Sequence, residues 1–520
     1  MRNLLIAGLL AGGIAGMVPL LNAGATQSAA VPVSKDTQDC LFCHEDLHPG
    51  IVSAWRESRH ARITPGEAIQ VKGLGLKVSS TEIPEQFLNV AVGCAECHTQ
   101  RSEAHSGTFD HGGYDVHTAV SPKDCATCHA QEADQFSRNL MAHARGNLVN
   151  NPLYMDLART IEGRVARAEQ KLEFTPADPL TQAESCLHCH GTELEVVGSE
   201  ERDTFHGGME FPVVTGWPNQ GVGRVNTDGS LGTCGACHNR HQFSIEMARQ
   251  PYTCKKCHVG PDVPAYKVYS ASRHGNMFST HGKEWDFKKV PWTVGEDFTA
   301  PTCASCHVSL LADASGNEIA PRTHQMTDRL PWRIFGLIYA HPHPISPDTS
   351  IIRNADGLPL PTNLDGTFAG DFLINASTMA ERAENMQKVC RSCHGSAWVN
   401  NFWERFENTI MTTNAATLEA SRIMLDIWDK GYAVNHLAGG SPFDEAMERR
   451  WSDVWLFYAN NIRFASSMAG GGDYGVFADG RYHIAQAIME LNDWFARQKA
   501  MDALGNTGQP ASKPSLQKAK

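Results

Sequence analysis

Residues 232–277 read GTCGACHNRHQFSIEMARQPYTCKKCHVGPDVPAYKVYSASRHGNM. Two CxxCH units fall within the stretch, Cys234/Cys237/His238 and Cys254/Cys257/His258. Two spare histidines, His241 and His274, accompany them, and one acid, Asp262, sits in a Gly-Pro-Asp turn. A CxxCH unit reads as an attachment point for covalent c-type haem. Cysteines separated by two residues reach both vinyl groups of one porphyrin, and the histidine after them is placed to ligate the iron. Units this near in sequence put two haems close together, near enough for fast electron exchange.

Outward from this stretch the same unit recurs. All 16 cysteines of the 520-residue chain fall into eight CxxCH units. The other six are Cys40/Cys43/His44, Cys94/Cys97/His98, Cys125/Cys128/His129, Cys186/Cys189/His190, Cys303/Cys306/His307 and Cys390/Cys393/His394. No cysteine is left for a disulfide or a free nucleophile. Zinc knuckles and a dithiol redox pair are the alternatives for CxxC. Neither explains a histidine after the second cysteine in all eight units. The cofactor expectation is therefore eight covalently bound haem c groups.

Formal net charge is −12 with histidine neutral, and haem propionates would add to it. An acidic chain lacks the basic patch a nucleic-acid partner needs, so none is expected. Aromatic content is an ordinary 8%, and porphyrin supplies much of the apolar interior. At the N-terminus, Arg2 precedes an apolar run from Leu4 to Leu21, then Ala23-Gly24-Ala25. That is the pattern of a cleaved export signal over residues 1–25; the competing reading is a retained membrane anchor. Gly12, Gly13, Gly16 and Pro19 favour removal, and no later run approaches the roughly 20 apolar residues of a membrane span. The expectation is a soluble periplasmic protein, which suits cytochrome c assembly outside the cytoplasm.

The units recur irregularly between Cys40 and His394, so residues 26–395 form one haem-packed domain and no fixed-period solenoid. Short helices such as Leu153–Leu172 are expected between Gly- and Pro-rich intervals, with extended loop over Val213–Gly232. After His394 the cysteines stop and helical periodicity begins. Met447, Trp451, Trp455, Tyr458 and Ile462 share one face, as do Ile484, Ile488, Leu491 and Phe495. These stripes read as helix-packing core, giving a C-terminal helical domain over 396–504. Gly439-Gly440-Ser441-Pro442 and Ala469-Gly470-Gly471-Gly472 read as breaks. Residues 505–520, rich in Gly, Pro, Ser and Lys, read as a disordered tail. The fold class expected is mainly α, a multihaem cytochrome c fold with a C-terminal long-helix bundle.

Of 24 histidines, eight lie in the motifs and sixteen are spare, enough for a second axial histidine on most irons. A doubly ligated iron suits electron transfer, because no position is left for substrate. By context the second ligands expected are His60, His117, His143, His241, His274 and His324. His241 follows His238 too closely to reach the far face of the same haem, so it should serve a neighbour. His188, inside Cys186–His190, cannot cap its own iron either.

The chain resembles the hydroxylamine oxidoreductase family of octahaem c cytochromes over nearly its whole mature length. The resemblance is carried by LHPGIVSAWRESRHA, CHNRHQFS, CHVGPD, YSASRHG, APTCASCH, THQMTDRLPW and the helical C-terminal region. It implies seven bis-histidine haems, one five-coordinate haem that binds a small nitrogen compound, and a homotrimer. It puts the catalytic haem on the fourth motif, Cys186/Cys189/His190. It also implies an Asp-His proton relay above that haem and, in oxidising members, a tyrosine from the neighbouring subunit bonded to the porphyrin. Here Asp262 matches the relay acid, but Val263 replaces its histidine. Tyr474, in GGGDYGVF, stands where the tyrosine is expected, although Phe477-Ala478-Asp479-Gly480 replaces the phrase that usually follows. Asp262 otherwise reads as a turn residue bonding its own backbone, and Tyr474 as a packed or surface tyrosine.

Two functions follow. One is an exported oxidoreductase acting on hydroxylamine, nitrite or nitric oxide opposite His190. In it the other haems relay electrons to a partner cytochrome or quinone-linked carrier, and Asp262 moves protons. A haem-bonded Tyr474 favours oxidation; without that bond, reduction is favoured. The other is an electron-transfer cytochrome with no catalytic haem, in which a spare histidine such as His206 closes the fourth iron.

Overall fold

The computed structural model describes residues 31–169, 171–204, 207–434, 439–469 and 472–504. The export signal, the C-terminal tail, His206 and Gly470-Gly471 lie outside them. Helices dominate, and the strands form small two- and three-stranded sheets. No described helix is long and apolar enough to cross a membrane.

Each CxxCH unit winds into a single turn. In Cys94–His98, Cys186–His190 and Cys303–His307 it is a short helix. In the units at Cys125, Cys234, Cys254 and Cys390 the histidine N–H bonds the first cysteine's carbonyl at 2.9 Å. A closed turn brings the first cysteine and the histidine to one side, the placement a porphyrin needs. Local capping starts several of these turns. Ser121 caps the turn before Cys125 with Asp124 returning the bond, and Thr302 with Ser305 does the same before Cys303. Thr37, fully buried, donates to Glu96 at 2.7 Å and accepts from the Ala95 N–H at 3.0 Å. That knot fixes the first motif helix, Lys35–Leu47, against the second motif.

The expected Leu153–Leu172 helix is half as long. Asn151 caps a helix over Pro152–Glu162, and Gly163 ends it. A Cβ there would lie 2.2 Å from the Arg159 carbonyl and 2.5 Å from that of Thr175, because the chain turns back as an antiparallel hairpin, Arg164–Ala168 with Lys171–Thr175. Residues 164–168 pair as a strand once Gly163 has stopped the helix. A longer hairpin, Val196–Thr204 with Gly207–Val214, follows the fourth motif. After it, no named helix or strand precedes Cys234.

The C-terminal region carries the conventional core. The helix Ser396–Asp429 packs on Ala459–Ser467 and Arg481–Ala503. Trp451, Trp455, Ile462, Ile484 and Leu491 are buried in one cluster with Met424, Ile427 and Trp428, and Met447, Tyr458, Ile488 and Phe495 pack against it. Both periodic faces meet each other. Between Ala446–Asp453 and Ala459–Ser467 the chain makes one wider π turn, Val454–Tyr458. This turn faces the N-terminal region: Trp455, Leu456 and Phe457 line its interior cavity.

Candidate multihaem centre

The N-terminal region encloses one continuous cavity of about 2850 Å³. A single-ligand pocket is usually about 300–1,000 Å³, so this space suits several large groups. All eight motif histidines and fifteen of the sixteen motif cysteines line it, Cys43 being the exception. Burial pushes the thiols of Cys97, Cys237 and Cys306 up to about 12, so none of these three is a ready thiolate.

The motifs follow one another through contacts between their cysteines. Cys40 lies near Cys94, Cys97 near Cys128, Cys125 against Cys234, Cys237 near Cys254, Cys254 against Cys303 and Cys306 near Cys390. The fourth motif joins at one side, Cys189 against Cys257 of the sixth.

Histidines face one another across the cavity at a repeated spacing. Imidazole nitrogens bind a metal at about 2 Å, so two rings on opposite sides of one ion have centroids about 6 Å apart. Ring centroids are 6.1 Å apart for His44 and His111, 6.3 Å for His60 and His129, and 6.4 Å for His98 and His241. His238 and His324 are at 6.4 Å, and His274 and His394 at 6.2 Å. Burial pushes His60, His238, His307 and His324 down to about 4, which leaves the neutral imidazole that ligates metal. His111, His324 and His343 each keep a buried Nδ1 without a partner. The donor set, the spacing and the space together fit iron porphyrins.

Four of the expected second ligands, His60, His241, His274 and His324, are therefore set opposite motif histidines. Two are not. His117 is 6.2 Å from His98, but its Nε2 donates to the Gln100 carbonyl at 2.9 Å and its ring stacks on His105 at 3.7 Å. His143 donates through Nε2 to the Ser137 carbonyl at 2.9 Å. Neither ring lines the cavity; a backbone carbonyl takes Nε2 of each, and the buried Nδ1 of His117 is left without a partner. His117 instead serves through its own carbonyl, which accepts from His98 Nδ1 at 2.8 Å and so leaves Nε2 for iron.

Sequence reasoning missed His111 and His343. His111 ends a three-residue strand whose hairpin turn is Gly112-Gly113, at φ 66° and 89°, a turn readable from the glycine pair. His343 is buried on the same cavity as His307 and within electrostatic reach of it; no local pattern marks it.

Around the fourth motif the arrangement differs. His190 lines the cavity, and its Nδ1 donates to the Ala144 carbonyl at 3.0 Å. Among the described residues no histidine ring faces it at the spacing found elsewhere; the same is true of His258. Asp262 is exposed on the cavity wall, and its charge favours protonation of both His190 and His258. Its backbone is held by the buried Asn460, whose Nδ2 donates to the Asp262 carbonyl at 2.9 Å. Val263 packs with Phe335, Phe464, Val268 and Tyr474. Tyr474 is off the cavity wall and half-buried in that apolar cluster. Glu162, unremarked in the sequence, accepts from Ser185 beside Cys186.

Known proteins resemble this chain in sequence and fold. Residues 221–325 match the family model described as "Seven times multi-haem cytochrome CxxCH", and residues 124–209 match "Cytochrome c554 and c-prime". A solved structure described as a hypothetical multiheme protein is 38% identical and superposes with a TM-score of 0.84, covering 94% of this chain and all of that one. A reducing hydroxylamine oxidoreductase-like protein complex from Kuenenia stuttgartiensis superposes with a TM-score of 0.61 at 18% identity, over 91% of this chain and 87% of that one. A probable nitrite reductase–hydroxylamine oxidoreductase fusion protein from the same organism is 26% identical over 285 residues, 52% of this chain. The chain spans 25% of that protein's length. With whole-length likeness to a multihaem structure and cavity-lining CxxCH turns with histidines set across from them, the chain belongs to the multihaem c-type cytochromes.

Proposed function

We propose that the chain is an octahaem oxidoreductase, exported to the periplasm, that transforms a small nitrogen compound at its fourth motif. Two observations carry this reading: five motif histidines have a ring facing them at 6.1–6.4 Å while His190, like His258 and His307, has none among the described residues, and of these three His190 belongs to the motif that joins the others at one side only, through Cys189 and Cys257. A haem on Cys186 and Cys189 supplies an open coordination position and a change of oxidation state there. The chain's own residues do the rest. The Ala144 carbonyl fixes the His190 tautomer, Asn460 anchors the Asp262 turn, and the Asp262 carboxylate takes or gives protons. Val263, Phe335 and Phe464 make an apolar wall that limits water. The facing histidine pairs hold the relay haems, whose closed coordination suits electron transfer.

The direction turns on Tyr474 of a neighbouring copy: a phenol bonded to the porphyrin favours oxidation of hydroxylamine, and without that bond reduction of nitrite or hydroxylamine is favoured. The homotrimer implied by the resemblance is the arrangement in which a partner's tyrosine could reach the site, and a partner cytochrome or quinone-linked carrier completes the circuit. Carbon monoxide added to the reduced protein tests the reading: one carbon monoxide-sensitive haem and seven low-spin haems are expected. Eight carbon monoxide-insensitive, low-spin haems would leave a pure electron carrier.

A further inference from the structure

One wall of the cavity carries positive charge without a carboxylate to balance it. Arg333 ends a two-residue strand, in register with His341, and lines the cavity with its guanidinium carbon 5.4 Å from the centre of the Phe335 ring. Its Nε is buried without a partner, and among the described residues no acid forms an ion pair with it. Behind it lies Arg463, fully buried. Arg463 donates to the Ile334 carbonyl at 3.3 Å, to Asn414 Oδ1 at 2.8 Å and to Asn460 Oδ1 at 3.3 Å, and its own Nε is unpaired. Burial pushes Arg463 down to about 9, so it is still a cation at neutral pH.

These bonds tie both sides of the fourth site to one frame. Asn460 holds the Asp262 carbonyl, Arg463 holds the residue after Arg333, and Asn414 brackets Ala340 through its N–H and carbonyl at 3.1 and 2.9 Å. Arg333, which also reaches His341 and His343, and Asp262 are both within electrostatic reach of His190. They do not form an ion pair with each other. One apolar cluster adjoins both: Val263 follows Asp262 in the chain, Phe335 lies under the Arg333 guanidinium, and the two pack with Phe464. An unsatisfied guanidinium edge against apolar walls is costly alone and is satisfied by a planar oxyanion, which accepts two parallel N–H bonds. A neutral ligand gains much less. Val263 sharpens the contrast, since it offers no polar atom to a neutral N–H or O–H.

We infer that Arg333 is the anion-binding residue of the fourth-motif site, and that this site selects a nitrogen oxyanion of the nitrite class over neutral hydroxylamine. The inference rests on the proposed function, because it presumes an open position at that motif. A porphyrin propionate offers the same oxygen chemistry, so the test must separate a substrate anion from a propionate.

The holoprotein and its R333Q and R333K variants are titrated with nitrite, hydroxylamine and carbon monoxide, following haem difference spectra. Haem content and reduction potentials are measured on the same samples. For R333Q the nitrite dissociation constant should rise about tenfold or more, with hydroxylamine and carbon monoxide within about twofold and R333K recovering part of the loss. Unchanged nitrite affinity in R333Q overturns the inference; if haem content or potentials shift while nitrite affinity does not, Arg333 serves a propionate. Equal weakening of nitrite and hydroxylamine also overturns it, since selectivity is then absent. Should R333Q fail to accumulate, R333K decides on the same comparison. Wild-type protein that binds none of the three ligands removes the open site itself, an outcome distinct from failure of Arg333 alone.

Discussion

Glu448 predicts a pH-dependent weakness in the C-terminal bundle. Its side chain is fully buried, where Oε1 accepts from Trp428 Nε1 at 2.8 Å and Oε2 accepts from the Glu445 N–H at 3.0 Å. Asp444 and Glu445 stand close by. Burial is the largest influence, and it raises the carboxyl from 4.5 to about 7. That difference is worth about 3 kcal/mol. The folded state therefore holds this proton more tightly than the unfolded chain. Stability falls as pH rises from about 4.5 through about 7 and levels off above. Helix content is followed by circular dichroism during urea unfolding from about pH 5 to about pH 8. The wild type should lose about 3 kcal/mol across that window relative to E448Q. E448Q keeps an acceptor for Trp428 but turns its amide toward the Glu445 N–H, so it should start about 1 kcal/mol lower. A slope equal in both proteins would refute the assignment, since the titration would then belong to other groups.

H241A removes the ring facing His98 at 6.4 Å. Electron paramagnetic resonance should then show one additional high-spin signal and no loss of haem, whereas H117A should leave the spectrum low-spin. D262N should lower nitrite or hydroxylamine turnover by about 100-fold or more, with ligand-binding spectra unchanged; a variant as active as wild type makes Asp262 a turn residue. W455A empties a fully buried site in the bundle core and should cost about 3–5 kcal/mol, read as a lower urea midpoint.

The cofactor attachment was legible because CxxCH is a local signal: five residues make one closed turn, whatever surrounds them. The helical bundle was legible for the same reason, since Trp451, Trp455, Ile462, Ile484 and Leu491 repeat at helical spacing and are all buried. His241 and His274 could be picked out near motifs, but the motif that each faces depends on distant chain, and no spacing in the sequence encodes it. His117 and His143 keep favourable company in the sequence, but carbonyls of Gln100 and Ser137 take one nitrogen of each ring, and nothing in the linear sequence reveals such a bond. Helical spacing alone carries the helix through Gly163 to Leu172; only the facing Thr175 carbonyl shows why no side chain fits there. Arg333 and Arg463 were invisible for a related reason: a guanidinium matters here because its neighbours lack carboxylates, which is a property of the packed wall.

Spatial order among the motifs differs from chain order. The third motif touches the fifth, the fifth lies near the sixth, the sixth touches the seventh, and the fourth hangs from the sixth through Cys189 and Cys257. A haem at a branch end handles only the electrons of its own reaction, so the fourth position suits chemistry and the through-line suits transport. The loop that carries Asp262 begins at His258 of that same sixth motif, and it ends where Asn460 grips the Asp262 carbonyl at 2.9 Å. Asp262, the proposed proton carrier, is thus anchored at once to the branch point and to the C-terminal bundle. A single glycine inserted between Pro261 and Asp262 moves the carboxylate while leaving every CxxCH turn intact. Turnover should fall as far as in D262N, with haem content and carbon monoxide binding preserved. If the insertion is silent while D262N is not, the Asp262 carboxylate acts without being held in place, and the anchoring argument fails. If both are silent, protons reach the fourth motif from elsewhere, with Glu162 beside Cys186 the next carboxylate to replace.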